Sequence, residues 1–363
     1  MILKALLLLV TLALCSSMPL ISQEIEGNLT PGGFALVPVF SVDRPSMRFG
    51  LKPIAVLDDY ADSGVWLGLV GIDILTAPGQ YLLTKSKQGH EEQEGLVGIT
   101  VQPIEHDFRP SRTITTRFEE YLRNVLAKDR GDYAARDIVG EWHESQLFSF
   151  PFLLPLEDGE MDEVTIGTYV QYPSGKLDPV NALFLRTNKA RTRVIAPSGG
   201  IIHRVEQSKD RMVNTNMMIN HGQGVFSILK GEIYPEVSVG DIVEAGQSIA
   251  LVTAGDRRID RGMHDLSWQL VLNGDLVNPS HFLELDLSAY YQKLITDAEA
   301  YFLSIEAAEQ LNALQMLEDT SSDQADAPNS TITAQTESTD DQQSTGDAEP
   351  TNYQVTNPTT ETE

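Results

Sequence analysis

The chain predicts a mainly β protein, on three observations. Residues 194–283 read as short runs of β-branched and aliphatic residues, each closed by a turn pair: Gly199-Gly200, His221-Gly222, Gly240-Asp241, Gly246-Gln247 or Asn273-Gly274. Asn-Gly is the sharpest of these, because a two-residue turn between strands needs positive φ at both central positions. Residues 27–108 hold further apolar runs of strand length between Pro-Gly, Asp-Asp and glycine turns. Helical spacing is confined to 111–144 and 286–317.

Residues 1–23 read as a signal peptide: Lys4 gives the positive start, 5–14 the apolar run, and Ser16 and Ser17 the small residues after it. The run is about half of what a bilayer span requires, so export without a transmembrane anchor is expected. Cys15, the single cysteine, stands where a lipoprotein signal carries its lipidated residue, although Leu14 occupies a place usually held by a small residue. Lipidation and removal with the signal are the two readings. Both leave the mature chain without a disulfide, so burial must hold it. The formal charge of −26, from 52 acidic and 26 basic residues, sets the average surface against nucleic acid and against anionic lipid.

Residues 24–108 form the first expected domain, a β-sandwich-like unit with strands at 34–40, 53–57, 65–72, 80–84 and 95–103. It carries no catalytic constellation, so its expected role is to position or dock the second β module. In 109–149, Phe118, Tyr121, Leu122 and Val125, then Ala134, Ile138 and Trp142 beyond Gly131, recur at helical intervals and predict a helical connector. Residues 286–317 repeat that interval through Leu287, Tyr290, Leu294, Ala298, Phe302, Ile305 and Leu311, a helix expected to pack back on the β module. The last stretch, 318–363, has hardly any aliphatic residue and no Lys or Arg. It is too polar to offset its ordering entropy, and a disordered acidic tail is expected.

The second β domain, 150–285, carries four motifs in order. They are Val194-Ile195-Ala196-Pro197 running to Gly200, then His221-Gly222-Gln223-Gly224, then 237–247 in the form Val-x-x-Gly-Asp-x-Val-x-x-Gly-Gln, and Asn273-Gly274 running to Pro279. The set resembles the lysostaphin/LytM-type zinc endopeptidases of bacterial cell walls, a duplicated hybrid motif fold. Biotinyl and lipoyl carrier domains share the third motif, but no Met-Lys pair stands at its turn here.

The resemblance implies a zinc ion held by a His-x-x-x-Asp pair and by the second His of His-x-His, with two further histidines in catalysis. Family spacing puts the first pair on Asn181 and Leu185, the last pair on Asp265 and Ser267, and the upstream catalytic histidine on Gly231. Leucine and glycine offer no lone pair, serine is a poor ligand, and two oxygens do not hold Zn²⁺ tightly. The expectation is a degenerate member with no metal ligand, no catalytic residue and no cofactor. His264, one residue before the last pair, does not complete the set, since the same slip puts Leu266 in the ligand position. His221 belongs to the turn motif and reads as structural; His203 reads as a half-buried strand residue.

Three functions compete. The first, implied by the resemblance to degenerate relatives, is a non-catalytic LytM-type protein of the periplasm or envelope. It binds or regulates a cell-wall hydrolase such as an amidase, or the peptidoglycan itself. Asn181, Leu185, Gly231, His264, Asp265 and Ser267 are then the candidate partner-binding positions in the former cleft. The second is an active zinc-dependent peptidoglycan endopeptidase with ligands displaced to His264 and Asp265. The third is a structural envelope protein that uses the fold as a scaffold. A triad of Ser267, His264 and Asp265 is weaker, because residues so close in one strand and turn rarely converge in the required geometry.

Overall fold

The structure is a computed structural model that describes residues 25–50, 52–58, 62–87, 96–104, 142–161, 166, 169–171, 177–187, 189, 191–207, 214–253 and 265–323. The signal segment with Cys15, most of the expected connector, His264 and residues 324–363 lie outside the described residues. The chain clusters into two compact units, Met1–Ala308 and Glu309–Glu363. Of the second, residues 309–323 are helical; every described strand belongs to the first.

The front of the chain supplies β1 (Glu26–Asn28), β2 (Phe34–Phe40), β3 (Pro45–Phe49), β4 (Lys52–Pro53), β5 (Ala55–Leu57), β6 (Val65–Gly71), β7 (Gly79–Lys87) and β8 (Leu96–Val101). They form two four-stranded sheets, ordered β1-β2-β6-β5 and β4-β3-β7-β8. Side chains alternate along β2. Ala35, Val37 and Val39 share a core with Met47, Leu83, Ile99 and Val101 of the second sheet. Phe34, Leu36 and Phe40 turn the other way, into a core that also holds Trp268 and Phe282. Every residue of β2 is buried as a result, which is why the strand is an unbroken apolar run where a half-exposed strand would alternate.

The rest of the chain supplies β9 (Glu160–Met161), β10 (Tyr169–Gln171), β11 (Leu177–Pro179), β12 (Leu183–Arg186), β13 (Arg193–Ile195), β14 (Gly200–Gln207), β15 (Asn214–Gly222), β16 (Val225–Pro235), β17 (Ile242–Val243), β18 (Ser248–Val252), β19 (Leu266–Leu272) and β20 (Asp275–Val277). β10 and β11 pair only as a hairpin. The others make one ten-stranded sheet whose main path runs β17-β14-β15-β16-β19-β12-β9; β20 joins β19, and β13 and β18 attach through β16. The longest pairing, β15 with β16, closes on Gly222, Gln223 and Gly224, all at positive φ (87°, 50° and 76°). A Cβ on Gly222 would stand 1.9 Å from the Ser145 carbonyl oxygen, so glycine is the residue that fits.

That turn and the neighbouring Asn273-Gly274 turn are clamped by the front of the chain. Val56 N–H donates to Gln223 Oε1 at 2.7 Å. With its amide nitrogen turned toward them, Asn273 donates to the carbonyls of Gln223 and Pro53. Lys52 Nζ meets Asp275 Oδ1 at 2.6 Å, Leu276 N–H donates to Asp73 Oδ2 at 2.9 Å, and the Phe34 and Phe282 rings lie 4.8 Å apart. Residues 142–149, the described end of the expected helical connector, run as irregular chain and hydrogen-bond to the same end of the sheet, Leu147 N–H to His221 O and Gln223 N–H to His143 O. The helix expected over 286–317 spans Ser288–Asp323 (α1) and buries Tyr290, Tyr291, Leu294 and Ala298 in the common core. Among the described residues no helix is long and apolar enough to cross a membrane.

Lys52 is the partner of a largely buried carboxylate. Burial pushes Asp275 up to about 6, opposed by the Lys52 hydrogen bond and charge. Lys52→Ala should cost about 1–2 kcal/mol at pH 7, because a buried charge loses its counterion. At pH 5 most of that cost should vanish, since Asp275 is then protonated. Urea unfolding of both proteins at the two pH values measures it; an equal cost at both would contradict the pairing.

Candidate functional site on strands β12, β16 and β19

The positions singled out by spacing fall on the middle of the large sheet, where the ladder fixes which side chains share a face. Phe184 stands opposite Ser267 and Leu185 opposite Leu266. Ser267 stands opposite Lys230, and Leu266 opposite Gly231; Lys230 is opposite Asn216. One row across four strands is thus Asn216, Lys230, Ser267 and Phe184. The other parity belongs to the core: Leu183, Leu185, Leu229, Leu266 and Trp268 all join the apolar cluster. Burial along β16 repeats the period, with Leu229, Gly231 and Ile233 buried, Lys230 and Glu232 half-buried and Tyr234 exposed.

The six expected positions therefore divide. Ser267, itself buried, lies on the second face of β19 with Lys230 beside it on β16, and Asp265, half-buried, immediately precedes the strand. Leu185, fully buried, and Gly231 lie on the parity that faces the core. Gly231 has no room for a side chain, since a Cβ there would sit 2.3 Å from the Asp265 carbonyl oxygen. Asn181 precedes β12; its carbonyl accepts from Gln269 Nε2 at 3.2 Å, and its Oδ1 is buried without a hydrogen-bond partner. His264 lies outside the described residues.

Lys230, Glu232, Phe184 and Gln269 were not anticipated at this face. The signal was available in the period-two alternation of 229–233, in which the polar residues occupy the even positions.

Burial and like charge set the electrostatics of the face. Burial raises Glu232, and repulsion by Asp265 adds to it. Burial also raises Asp265, opposed by the Thr187 N–H at 2.7 Å from its Oδ2 and by the charge of Arg186. Burial lowers Lys230 to about 8. Ser267 Oγ donates to the Lys230 carbonyl at 3.2 Å. The donors gathered here are two carboxylates and a hydroxyl beside an ammonium. That set does not fit zinc, which takes nitrogen, sulfur and carboxylate ligands in tetrahedral array, and the ammonium opposes any cation. Among the described residues no group of three or more His, Cys, Asp and Glu is placed to hold a metal ion.

His221 is engaged elsewhere. Its Nδ1–H donates to the Gly199 carbonyl at 2.6 Å, and its Nε2 accepts from Ser227 Oγ at 2.9 Å. Ser227 Oγ in turn accepts from Trp268 Nε1–H at 3.1 Å. This fully buried chain needs a neutral imidazole, and burial holds His221 down to about 4.

Residues 182–279, which include β12, β16 and β19, match the family model described as Peptidase family M23. This stretch is similar to the M23 peptidases. No curated protein matches the chain. Among solved structures, a candidate peptidase M23 from Pseudomonas aeruginosa is 19% identical over 70% of this chain and 94% of that one, with a TM-score of 0.48. The lysostaphin catalytic domain from Staphylococcus simulans is 18% identical over 42% of this chain and 100% of that one, with a TM-score of 0.24. A zinc-containing peptidase from Vibrio cholerae is 13% identical over 65% of this chain and 86% of that one, with a TM-score of 0.27. Within the matched stretch, the side chains of β12, β16 and β19 on the face away from Trp268 define the candidate site; Phe184, Ser267 and Gln269 there are buried and Lys230 is half-buried.

Proposed function

We propose that this chain is an exported, non-catalytic M23-like envelope protein that binds a cell-wall hydrolase of the amidase kind, or peptidoglycan itself, at the half-buried positions Lys230, Glu232 and Asp265 beside β16 and β19. The observation that supports it is the row Lys230, Ser267 and Phe184. On the strands where the family resemblance expects metal ligands and catalytic histidines, the side chains are ammonium, hydroxyl and hydrocarbon. A Lewis acid lowers the pKa of bound water only where such a donor set can hold it; without one, the domain keeps a binding face and lacks the hydrolytic step. The short apolar run at 5–14 supports export, and Cys15 is the candidate lipid attachment point.

Metal analysis of the purified mature protein, paired with digestion of peptidoglycan, tests the reading. Expected are far less than one zinc per chain after dialysis, no release of wall fragments, and retention on peptidoglycan or activation of an added amidase that Asp265→Lys abolishes. One tightly held zinc per chain with chelator-sensitive digestion would replace this reading by the endopeptidase that uses His264. Mass spectrometry of the mature N-terminus decides whether Cys15 is kept and acylated.

A further inference from the structure

We propose that the edge formed by β17 and the turn leading into it is a docking surface for a cationic, apolar segment of another protein, separate from the cleft face. Val239 and Ile242 expose 61% and 77% of their surface three residues apart in this edge segment. Leu153, 39% exposed, lies beside the turn that follows β17, its Cδ1 3.4 Å from where a Cβ on Gly246 would stand. The segment is held by its backbone, Gly240 N–H to Ile202 O, Ile202 N–H to Asp241 O and Gly246 N–H to Ala196 O, so its conformation is preformed. β17 ends the strand order of the large sheet and pairs, among the described residues, with β14 alone. An unprotected edge of this kind can accept an added strand.

Charge selects the occupant. Between Lys230 and Arg257 the chain has no Lys or Arg, while Glu232, Glu236, Asp241 and Glu244 all fall there; the last three are exposed. A second copy would bring carboxylates against carboxylates, and anionic lipid or nucleic acid would be repelled. A basic segment with aliphatic residues meets both features, the carboxylates steering it and the apolar side chains anchoring it. The inference does not rest on the proposed cleft function and fails or stands independently of it.

The test is selection of random displayed peptides against the full chain, with the Ile242→Glu chain as counter-target. Ile242 is mostly exposed, and a matching thermal melt establishes that the variant folds. Expected are peptides that combine Lys or Arg with Val, Ile or Leu. The best of them, synthesised, should bind the full chain, weaken as salt rises, and lose affinity by roughly tenfold or more with Ile242→Glu. Val239→Ser, which adds no charge, should also weaken it, separating lost apolar contact from added repulsion. No enrichment over the counter-target, acidic peptides, or affinity unchanged by both substitutions would overturn the proposal. So would Ile242-dependent dimers in sedimentation, or Ile242-dependent binding to phosphatidylglycerol vesicles.

Discussion

Gly231→His should unfold the protein, although it returns an imidazole to the position that family spacing assigns to catalysis. Position 231 lies between Lys230 and Glu232 on the parity that faces the core, and the first atom of any side chain would lie 2.3 Å from the Asp265 carbonyl oxygen. That neighbour is backbone of β19 and cannot swing aside. Relief requires opening the β16–β19 ladder, which pairs seven residues from Val225 to Gly231. Overpacking of this kind costs about 1–3 kcal/mol where side chains can shift and more where backbone must move, so a loss of at least about 3 kcal/mol is expected. Ser267→His, by contrast, enlarges a buried side chain that already has a Cβ and should cost less than Gly231→His. Urea midpoints of the two variants measure the contrast. A Gly231→His chain as stable as the parent would mean that β16 and β19 are further apart than described.

Stability should fall more steeply with acid in Asp275→Asn than in the parent. His221 has its folded pKa depressed to about 4 from 6.5. Its contribution is fully present above the unfolded value and lost as pH falls from 6.5 to 4, about 3 kcal/mol in all. Asp275 is raised from 3.8 to about 6 and acts with the opposite sign: its ionised form destabilises the fold at neutral pH, and the penalty is relieved as pH falls from 6 to 3.8. Between pH 6 and 4 the two slopes cancel. Removing the carboxylate leaves the imidazole slope uncovered. Between pH 7 and 4.5 the variant should lose about 2 kcal/mol more than the parent. Parallel profiles for the two proteins would show that one assignment is wrong, and an NMR titration of His221, expected to stay neutral down to about pH 4, says which.

Much of the fold was legible because its signals are local. The apolar run of β2 and the glycine-closed hairpin of β15 and β16 announce themselves within a few residues, and the repeat from Tyr290 to Leu311 lies inside α1. β1 and β3 were not, since Glu26–Asn28 is short and polar and Pro45–Phe49 carries little apolar pattern of its own. The same limit explains the site. Spacing carried the candidates to β12, β16 and β19 or their ends, but counting back from Ala196 crosses residues 187–192, and a one-residue uncertainty there reverses the face. Only the ladder tells that Phe184, and not Leu185, shares a side with Ser267. Lys230 was overlooked because family spacing pointed at its neighbour.

The clamp on the two turns at the far end of the large sheet bears on how such a chain can be shortened or recombined. A fragment beginning at Trp142 would keep the entire M23 match, yet it would strip Phe34, Leu36, Leu67 and Leu69 from the apolar surface they share with Trp268 and Phe282. It would leave Gln223 Oε1 without its donor and Asp275 without its ammonium. Such a fragment is a poor candidate for transplantation into another protein: the domain is heritable only together with the strands that precede it, and deletions that spare the catalytic-looking half would still be read by the cell as misfolding.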